Sequence, residues 1–201
     1  MLPTVSSGES SARELVVYVV VFAIFYALFQ WVPSLWAEVL TAWSSSAAMN
    51  ALGMSSSYGI HRGLVSLSLA SGVRPVHVYI VRECSAIHVL GVVLGLVVPL
   101  RAPWTRKAVG AALGSALIYA LNVARVVATV TLTGYDVPPF TWLVSSPTVE
   151  TYHYPISFLF GVVGVVATVL AMDRLALPEL GNLLARLPST LAAALSRRNK
   201  H

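Results

Sequence analysis

The sequence is poor in charge and almost without cysteine. Only 10% of its 201 residues are charged, whereas a soluble domain carries roughly 25%. So few charges cannot coat a soluble globule, and the 57% of hydrophobic residues excludes a disordered chain. Cys84 is the one cysteine, which excludes an internal disulfide framework and any Cys-x-x-Cys metal or redox site. A glycine-rich nucleotide loop is also missing, so the composition predicts an integral membrane protein.

Four long apolar runs contain most of the hydrophobic residues. Each is close to the ~20 residues that a helix needs to cross a bilayer, and each is continuous rather than alternating, which argues against barrel strands. We therefore predict an all-α polytopic membrane protein with four transmembrane helices, the first of them a retained anchor rather than a signal peptide. The predicted spans cover about 15–32, 84–100, 108–133 and 154–172.

Three further segments lie outside these runs. Residues 34–54 combine tryptophans with a glutamate and a serine run, a pattern that leaves open a re-entrant helix, an interfacial helix and a fifth span. Residues 58–83 alternate apolar and polar on both sides of the turn sequence 71–75, which predicts a small extracytoplasmic β-hairpin. Leucines at helical spacing in 174–201 predict an amphipathic cytoplasmic tail, leaving 1–173 as a single transmembrane domain.

The lysines and arginines predict the orientation in the membrane. Nine of the 13 basic residues precede the first run, separate the second from the third, or follow the fourth, and these segments share one side of the bilayer. By the positive-inside rule that side is cytoplasmic, so both termini are cytoplasmic in a multi-pass protein of the cell membrane. A nucleic-acid partner is not expected, because the basic residues do not cluster on a soluble face. The nine are Arg13, Arg101, Arg106, Lys107, Arg174, Arg186, Arg197, Arg198 and Lys200.

Three reactive side chains fall in the outer half of the bilayer in this topology. Arg125 lies inside the third run, where an arginine costs from about 2.5 kcal/mol upward; a snorkelling or structurally paired arginine is the alternative. Cys84 begins the second run, where a helix N-terminus favours the thiolate, although a lone cysteine is more often a small buried hydrophobe. His153 opens the fourth run, where interfacial aromatic belts also occur. Together they predict an acyl-transfer site with Cys84 as nucleophile, His153 as general acid and base, and Arg125 as oxyanion or thiolate stabiliser.

Other histidines offer alternatives to this assignment. His88 is a rival general base, because it follows Cys84 by four residues on the same helix face. A metal bound by Cys84, His88 and His77 is a further alternative, but that set lacks a clear fourth ligand, and we predict neither metal nor cofactor. His61 and His77 are otherwise expected on the hairpin surface. Side chains near the three in sequence, without an assigned role, are Glu83, Asn122 and Tyr152.

The blocks around these residues resemble the exosortase/archaeosortase family. Arg82-Glu83-Cys84-Ser85-Ala86 heads one span, Asn122-Val123-Ala124-Arg125 lies in the next, and His153 heads the following one, in the order of that family's own blocks. The resemblance covers roughly residues 60–170, and the wording of the blocks favours the archaeal branch. The chain departs from the family at Ala86, where a glycine is common, and in having fewer spans.

The resemblance implies a membrane-embedded cysteine protease or transpeptidase with its catalytic domain in 1–173. Such enzymes cleave exported proteins at a C-terminal sorting signal made of a short motif, a hydrophobic helix and a basic tail. The family's Cys, Arg and His correspond to Cys84, Arg125 and His153, which implies a Cys84 thioester at the extracytoplasmic face and transfer to a membrane lipid or another nucleophile. The alternative is a non-enzymatic membrane scaffold or assembly subunit, in which Arg125 pairs with a partner.

Overall fold

The computed structural model describes residues 7–139, 142, 144, 147–183 and 185, with side chains from residue 15 onward. This part of the chain is mostly helical and contains one small sheet. In chain order its elements are α1 (Ser7–Trp31), α2 (Leu35–Ala51), β1 (Ser56–His61), β2 (Leu64–Leu69), β3 (Val76–Ile80), a 3-10 turn (Arg82–Cys84), α3 (Ile87–Val97), α4 (Trp104–Gly134) and α5 (Val149–Leu175).

Two of these helices, α4 and α5, are each long and apolar enough to cross a membrane. The helices α1 and α2 pass that test only as a pair broken at residues 32–34, so the described residues hold two candidate spans, or up to three. α3 has 11 residues, about half the length that a bilayer requires. The prediction of a helical membrane protein is therefore confirmed, whereas four transmembrane helices are not established.

The chain divides into two compact units. In the first, which draws on residues 1–31, 90–115 and 168–201, α1 packs closely on α3: Phe29 lies against Gly91, and Phe22 lies against Gly95. Small residues at such contacts are how membrane helices usually approach one another.

The first unit also contains the end of α5 and the residues that follow it. Residues 178–183 are helical, and Leu180 is fully buried. The Gly181 amide donates a hydrogen bond of 2.8 Å to the Asp173 carboxylate, which fixes this short helix to the end of α5. Beyond residue 183, the predicted amphipathic tail over 174–201 lies outside the described residues, apart from residue 185.

The second unit, residues 32–89 and 116–167, is built around the sheet. The strands β1, β2 and β3 pair antiparallel in that order, and the inward residues of β2 and β3 alternate with exposed or half-buried polar ones. The predicted hairpin is confirmed as β2 and β3, and β1 adds a third strand that was not predicted. The core comprises Ala42, Met49, Val65, Leu67, Leu69, Val76, Ile80, Val126 and Val130.

The helix α2 covers one face of this sheet with its small and polar side. Thr41 and Ser45 are fully buried, whereas Trp36 and Trp43 are about half exposed, at 53% and 52%. A helix in water shows the opposite arrangement, so the outer face of α2 is suited to lipid. The Tyr119 hydroxyl of α4 donates to the Leu40 carbonyl of α2 at 3.0 Å.

The turn between β2 and β3 is seated on the C-terminal end of α4. The Gly134 carbonyl accepts hydrogen bonds from the amides of Val73 and Arg74, and a Cβ on Gly72 would lie 2.5 Å from that oxygen. Gly72 has a φ of +113°, so both its backbone conformation and its surroundings require glycine. Arg74 forms an ion pair of 2.9 Å with Asp136 and also donates to the Pro147 carbonyl, which ties the end of α4 to the segment before α5.

Candidate functional site

Cys84 lies at the end of the 3-10 turn, before α3 rather than within it. Its amide donates to the Val81 carbonyl at 2.8 Å, and its half-buried side chain packs against the core of the second unit. Helix α3 begins only at Ile87. The prediction that Cys84 occupies the first turn of a helix is therefore wrong, and stabilisation of its thiolate by that helix end loses its basis.

Ala86 separates the 3-10 turn that contains Cys84 from helix α3. Its φ of +59° is in the left-handed region, which costs an L-residue roughly 1–2 kcal/mol. The resemblance drawn from the sequence led us to expect glycine at this position, and glycine adopts a left-handed backbone without this cost. The buried methyl group of Ala86 offsets part of the cost, since each buried carbon contributes about 0.8 kcal/mol.

Replacing Ala86 with glycine is therefore expected to leave the free energy of unfolding nearly unchanged, because relief of the backbone strain offsets the lost methyl group and the added chain entropy. The matched control is Ala124→Gly in the interior of α4, which should destabilise the protein by about 1 kcal/mol. Denaturant unfolding of both variants in detergent measures the difference. If Ala86→Gly destabilises the protein as much as Ala124→Gly does, the turn is not strained at this residue.

Helix α4 places Asn122 and Arg125 near the Cys84 turn. The Asn122 amide nitrogen donates a hydrogen bond of 2.7 Å to the Cys84 carbonyl oxygen, which fixes the turn against the helix. Arg125 follows one turn later on the same face of α4. The block 122–125 thus has two parts: one holds the backbone of the cysteine turn, and the other presents a guanidinium beside it.

Helix α5 brings His153 to the same region. The helix begins at Val149, so His153 lies in its second turn and does not open it, as the sequence had suggested. One turn further on, the Ser157 hydroxyl accepts a hydrogen bond of 3.1 Å from Arg125 Nη1 and lies 3.5 Å from His153 Nε2. Arg125 and His153, predicted from separate spans, therefore meet at a single hydroxyl group.

A groove of about 150 Å³ passes this cluster. Apolar residues and two glycines of α3, α4 and α5 form most of its wall, and four polar side chains reach it. Arg125 Nη2 is buried and makes no hydrogen bond to the described residues, so one arm of the guanidinium keeps a donor available. The polar lining residues are Glu83, Asn122, Arg125 and Ser157.

The Cys84 thiol is the least constrained of the three predicted groups. The residues around it, Glu83 and Ala86, line the groove, but no hydrogen bond among the described residues joins the thiol to Arg125 or to His153. The structure therefore brings Arg125 and His153 together at Ser157. It holds the backbone of Cys84 beside Arg125 through Asn122, whereas the Cys84 side chain packs against the core and is not part of the groove lining.

The alternatives based on His88 and on a metal have less support. His88 lies on α3, and the break at residues 85–86 removes the shared helix face that was predicted for His88 and Cys84. His77 is exposed on β3, where its Nδ1 lies 2.7 Å from the Ser68 hydroxyl. In the ranges that the structure describes, no three His, Cys, Asp or Glu side chains converge on one point.

Ser157 is the member of the site that sequence reasoning missed. The available signal was its spacing of four residues from His153 within one predicted helix, which places both on one face. Tyr152, named beside His153 in the sequence, is fully buried and donates to the Val137 carbonyl at 3.2 Å, so it anchors α5 instead of facing the groove.

The comparison with protein families gives a match over most of the chain. A family model described as transmembrane exosortase matches residues 4–143. The matched stretch contains Cys84 and Arg125 and ends before His153 and Ser157. No curated protein and no solved structure matches the chain significantly.

Proposed function

The chain belongs to the transmembrane exosortase family, and we propose that it is a membrane-embedded cysteine transpeptidase that cleaves the C-terminal sorting signal of exported proteins. The family in general comprises sorting transpeptidases that act through a cysteine. The observation that carries the proposal for this chain is the shared Ser157 hydroxyl, which joins Arg125 to His153 beside a groove lined by the neighbours of Cys84.

In the first step the Cys84 sulfur attacks the carbonyl carbon of the scissile peptide bond. The thiol proton is transferred to His153, and a carbon–sulfur bond forms as the carbonyl π electrons move to oxygen. Arg125 is suited to stabilise that oxygen, because Ser157 holds its Nη1 while the buried Nη2 makes no hydrogen bond within the part of the chain that the structure describes. A donor that is already positioned in a water-poor site contributes most to such a transition state.

In the second step the oxyanion collapses and the carbon–nitrogen bond breaks. The leaving amine takes the proton from His153, which leaves a thioester on Cys84 and frees the substrate's hydrophobic helix with its basic tail. An amine or hydroxyl nucleophile, such as a lipid headgroup, then displaces the sulfur. Because each proton taken from a nucleophile is returned to a leaving group, no metal or cofactor is needed.

The groove suits a substrate that is apolar except at its reacting peptide group. Four polar side chains lie among apolar ones, and such a combination binds an apolar ligand while fixing its orientation. The bias of basic residues favours a site at the extracytoplasmic side of the cell membrane, which is where an exported protein would present its sorting signal.

Labelling of Cys84 tests both the orientation and the reactivity in this proposal. In intact cells that produce the full chain, we expect a membrane-impermeant maleimide to label Cys84 near neutral pH faster than it labels free cysteine. Because Cys84 is the one cysteine, no other thiol of the protein interferes. The matched control carries Arg106→Cys in a Cys84→Ala background and should be labelled only after lysis.

Labelling of Cys84 only after lysis would overturn the orientation. Labelling from outside at a rate below that of free cysteine would instead favour the alternative, a non-enzymatic scaffold or assembly subunit. In that alternative Cys84 is an inert packing residue, as its contact with the core permits, and the open arm of Arg125 binds a carboxylate of a partner protein.

A further inference from the structure

Ser157 occupies a position between the groove and His153. Its side chain lines the groove together with Arg125, whereas His153 is not part of the lining. His153 Nε2 faces the Ser157 oxygen at 3.5 Å. A proton that moves between His153 and a substrate in the groove therefore has the Ser157 hydroxyl in its path.

The hydrogen bonds of Ser157 differ from those of other hydroxyl residues in the neighbouring helix. In α4, Thr129 and Thr133 donate to the carbonyl oxygens four residues before them, at 2.9 and 2.7 Å, which is the usual use of such a side chain in a helix. The Ser157 hydroxyl is directed at two side chains, Arg125 and His153. Its role is therefore not to satisfy the backbone of its own helix.

The number of donors and acceptors fits a proton relay. Arginine can only donate, so Arg125 Nη1 occupies one lone pair of the Ser157 oxygen. The hydroxyl hydrogen is then free to donate to neutral His153 Nε2, and the second lone pair is free to accept from Nε2 once the ring is protonated. A hydroxyl group serves both states of the histidine, which neither an alanine nor a valine can do.

We propose that Ser157 relays the proton between His153 and the reacting groups in the groove, an inference that rests on the proposed function. When the Cys84 thiol turns from the core towards the groove, its proton moves to the Ser157 oxygen while the Ser157 hydroxyl proton moves to His153 Nε2. When the amine leaves, the same two transfers run in reverse. Each time Ser157 gains one proton and loses one, so it ends unchanged, and its bond from Arg125 keeps the oxygen in place.

Other groups also influence His153. The charged side chains that act on it are Arg125 from α4 and Glu150 from its own helix, and the Tyr154 ring lies edge-on at 5.7 Å between centroids. A substitution at residue 157 leaves Glu150 and Tyr154 unchanged, but Arg125 loses the acceptor of its Nη1 when the hydroxyl is removed. The pH profile separates the two effects, because only loss of the relay should reproduce the profile of His153→Gln.

The experiment measures the alkylation rate of Cys84 by N-ethylmaleimide across pH 5–9, on the purified full chain in detergent. The decisive pair is Ser157→Thr and Ser157→Val, since these side chains have the same shape and differ in the hydroxyl group. His153→Gln reports the loss of the base. The control is Ser68→Ala, which removes a serine hydroxyl from another histidine, His77, on the exposed face of the sheet.

We expect Ser157→Val and His153→Gln to lower the rate at pH 7 by about 10²-fold, because removal of the thiol proton then lacks its general base, and to give pH profiles of the same form. Ser157→Thr and Ser68→Ala should retain the wild-type profile. Equal rates for Ser157→Thr and Ser157→Val, slow or fast, would overturn the relay. If His153→Gln is slow in that case, the proposed function stands without the relay; if it leaves the profile unchanged, the role of His153 as base is wrong as well.

Discussion

Replacing Cys84 with alanine is expected to abolish removal of the sorting signal, a loss on the order of 10⁴-fold or more, as for other catalytic nucleophiles. Without the sulfur no thioester can form, and neither Arg125 nor His153 can take its place. The assay is an exported protein that ends in a motif, a hydrophobic helix and a basic tail, with an epitope placed after that tail. Retention of the epitope, followed by immunoblot in cells that produce the variant, measures the loss.

The fold should tolerate this change, because Cys84 is half-buried and its sulfur is one atom at the edge of the core. Denaturant unfolding should show a loss of about 1 kcal/mol. Cys84→Ser keeps the shape of the side chain and should be inactive too, since a hydroxyl is not ionised near neutral pH. Loss of the epitope at the wild-type rate in Cys84→Ala would mean that the chain does not catalyse the cleavage through this residue.

The parts of the fold that the sequence could predict are those with a strong period or a strong turn signal. Strands β2 and β3 alternate cleanly and are separated by a turn sequence, so both were found. Strand β1 was missed because its segment, 56–61, does not alternate in the same way: burial along it has the pattern of one half-buried residue followed by two exposed ones. Its pairing with β2 comes from tertiary contacts, which a local pattern does not contain.

The starts of two helices, near Pro155 and near Cys84, were predicted wrongly, and both errors have a physical cause. Pro155 suggested that a helix starts close to it, but α5 begins six residues earlier, at Val149, where the Thr148 amide donates to the Thr151 hydroxyl at 3.1 Å. At Cys84 an apolar run continues without a break in sequence, yet Ala86 takes a left-handed conformation and ends the turn. A sequence does not reveal a positive φ at an alanine.

The reactive residues of the site could be predicted from the sequence, but the contacts that join them could not. Cys84, Arg125 and His153 stand out because polar and reactive groups are costly in apolar segments. Their connection depends on Ser157, which was missed, and on Asn122, which was named in its block without a role. Serine and asparagine are common in membrane helices as hydrogen-bonding groups and so give no strong signal. The geometry supplies the contacts of these two residues, and among the described residues a hydrogen bond holds one arm of the guanidinium and none holds Nη2.

That geometry predicts a second large effect, at Arg125. Lysine keeps the charge, but its single nitrogen cannot both donate to Ser157 and present a second, fixed donor to the groove. We expect Arg125→Lys to slow removal of the epitope by about 10²–10³-fold, the cost of losing one positioned oxyanion donor. Arg62→Lys, an exposed residue in the turn between β1 and β2, is the matched control and should be fully active.

Arg125→Leu separates a catalytic arginine from a structural one. An arginine in the membrane costs about 2.5–3.5 kcal/mol, and the hydrogen bond to Ser157 returns only part of that, so the leucine variant should unfold at the same denaturant concentration as wild type or a higher one while being inactive. A structural arginine predicts the reverse, a destabilised protein that still processes its substrate. Since activity and stability move in opposite directions in the two cases, the pair of measurements on one variant decides between them.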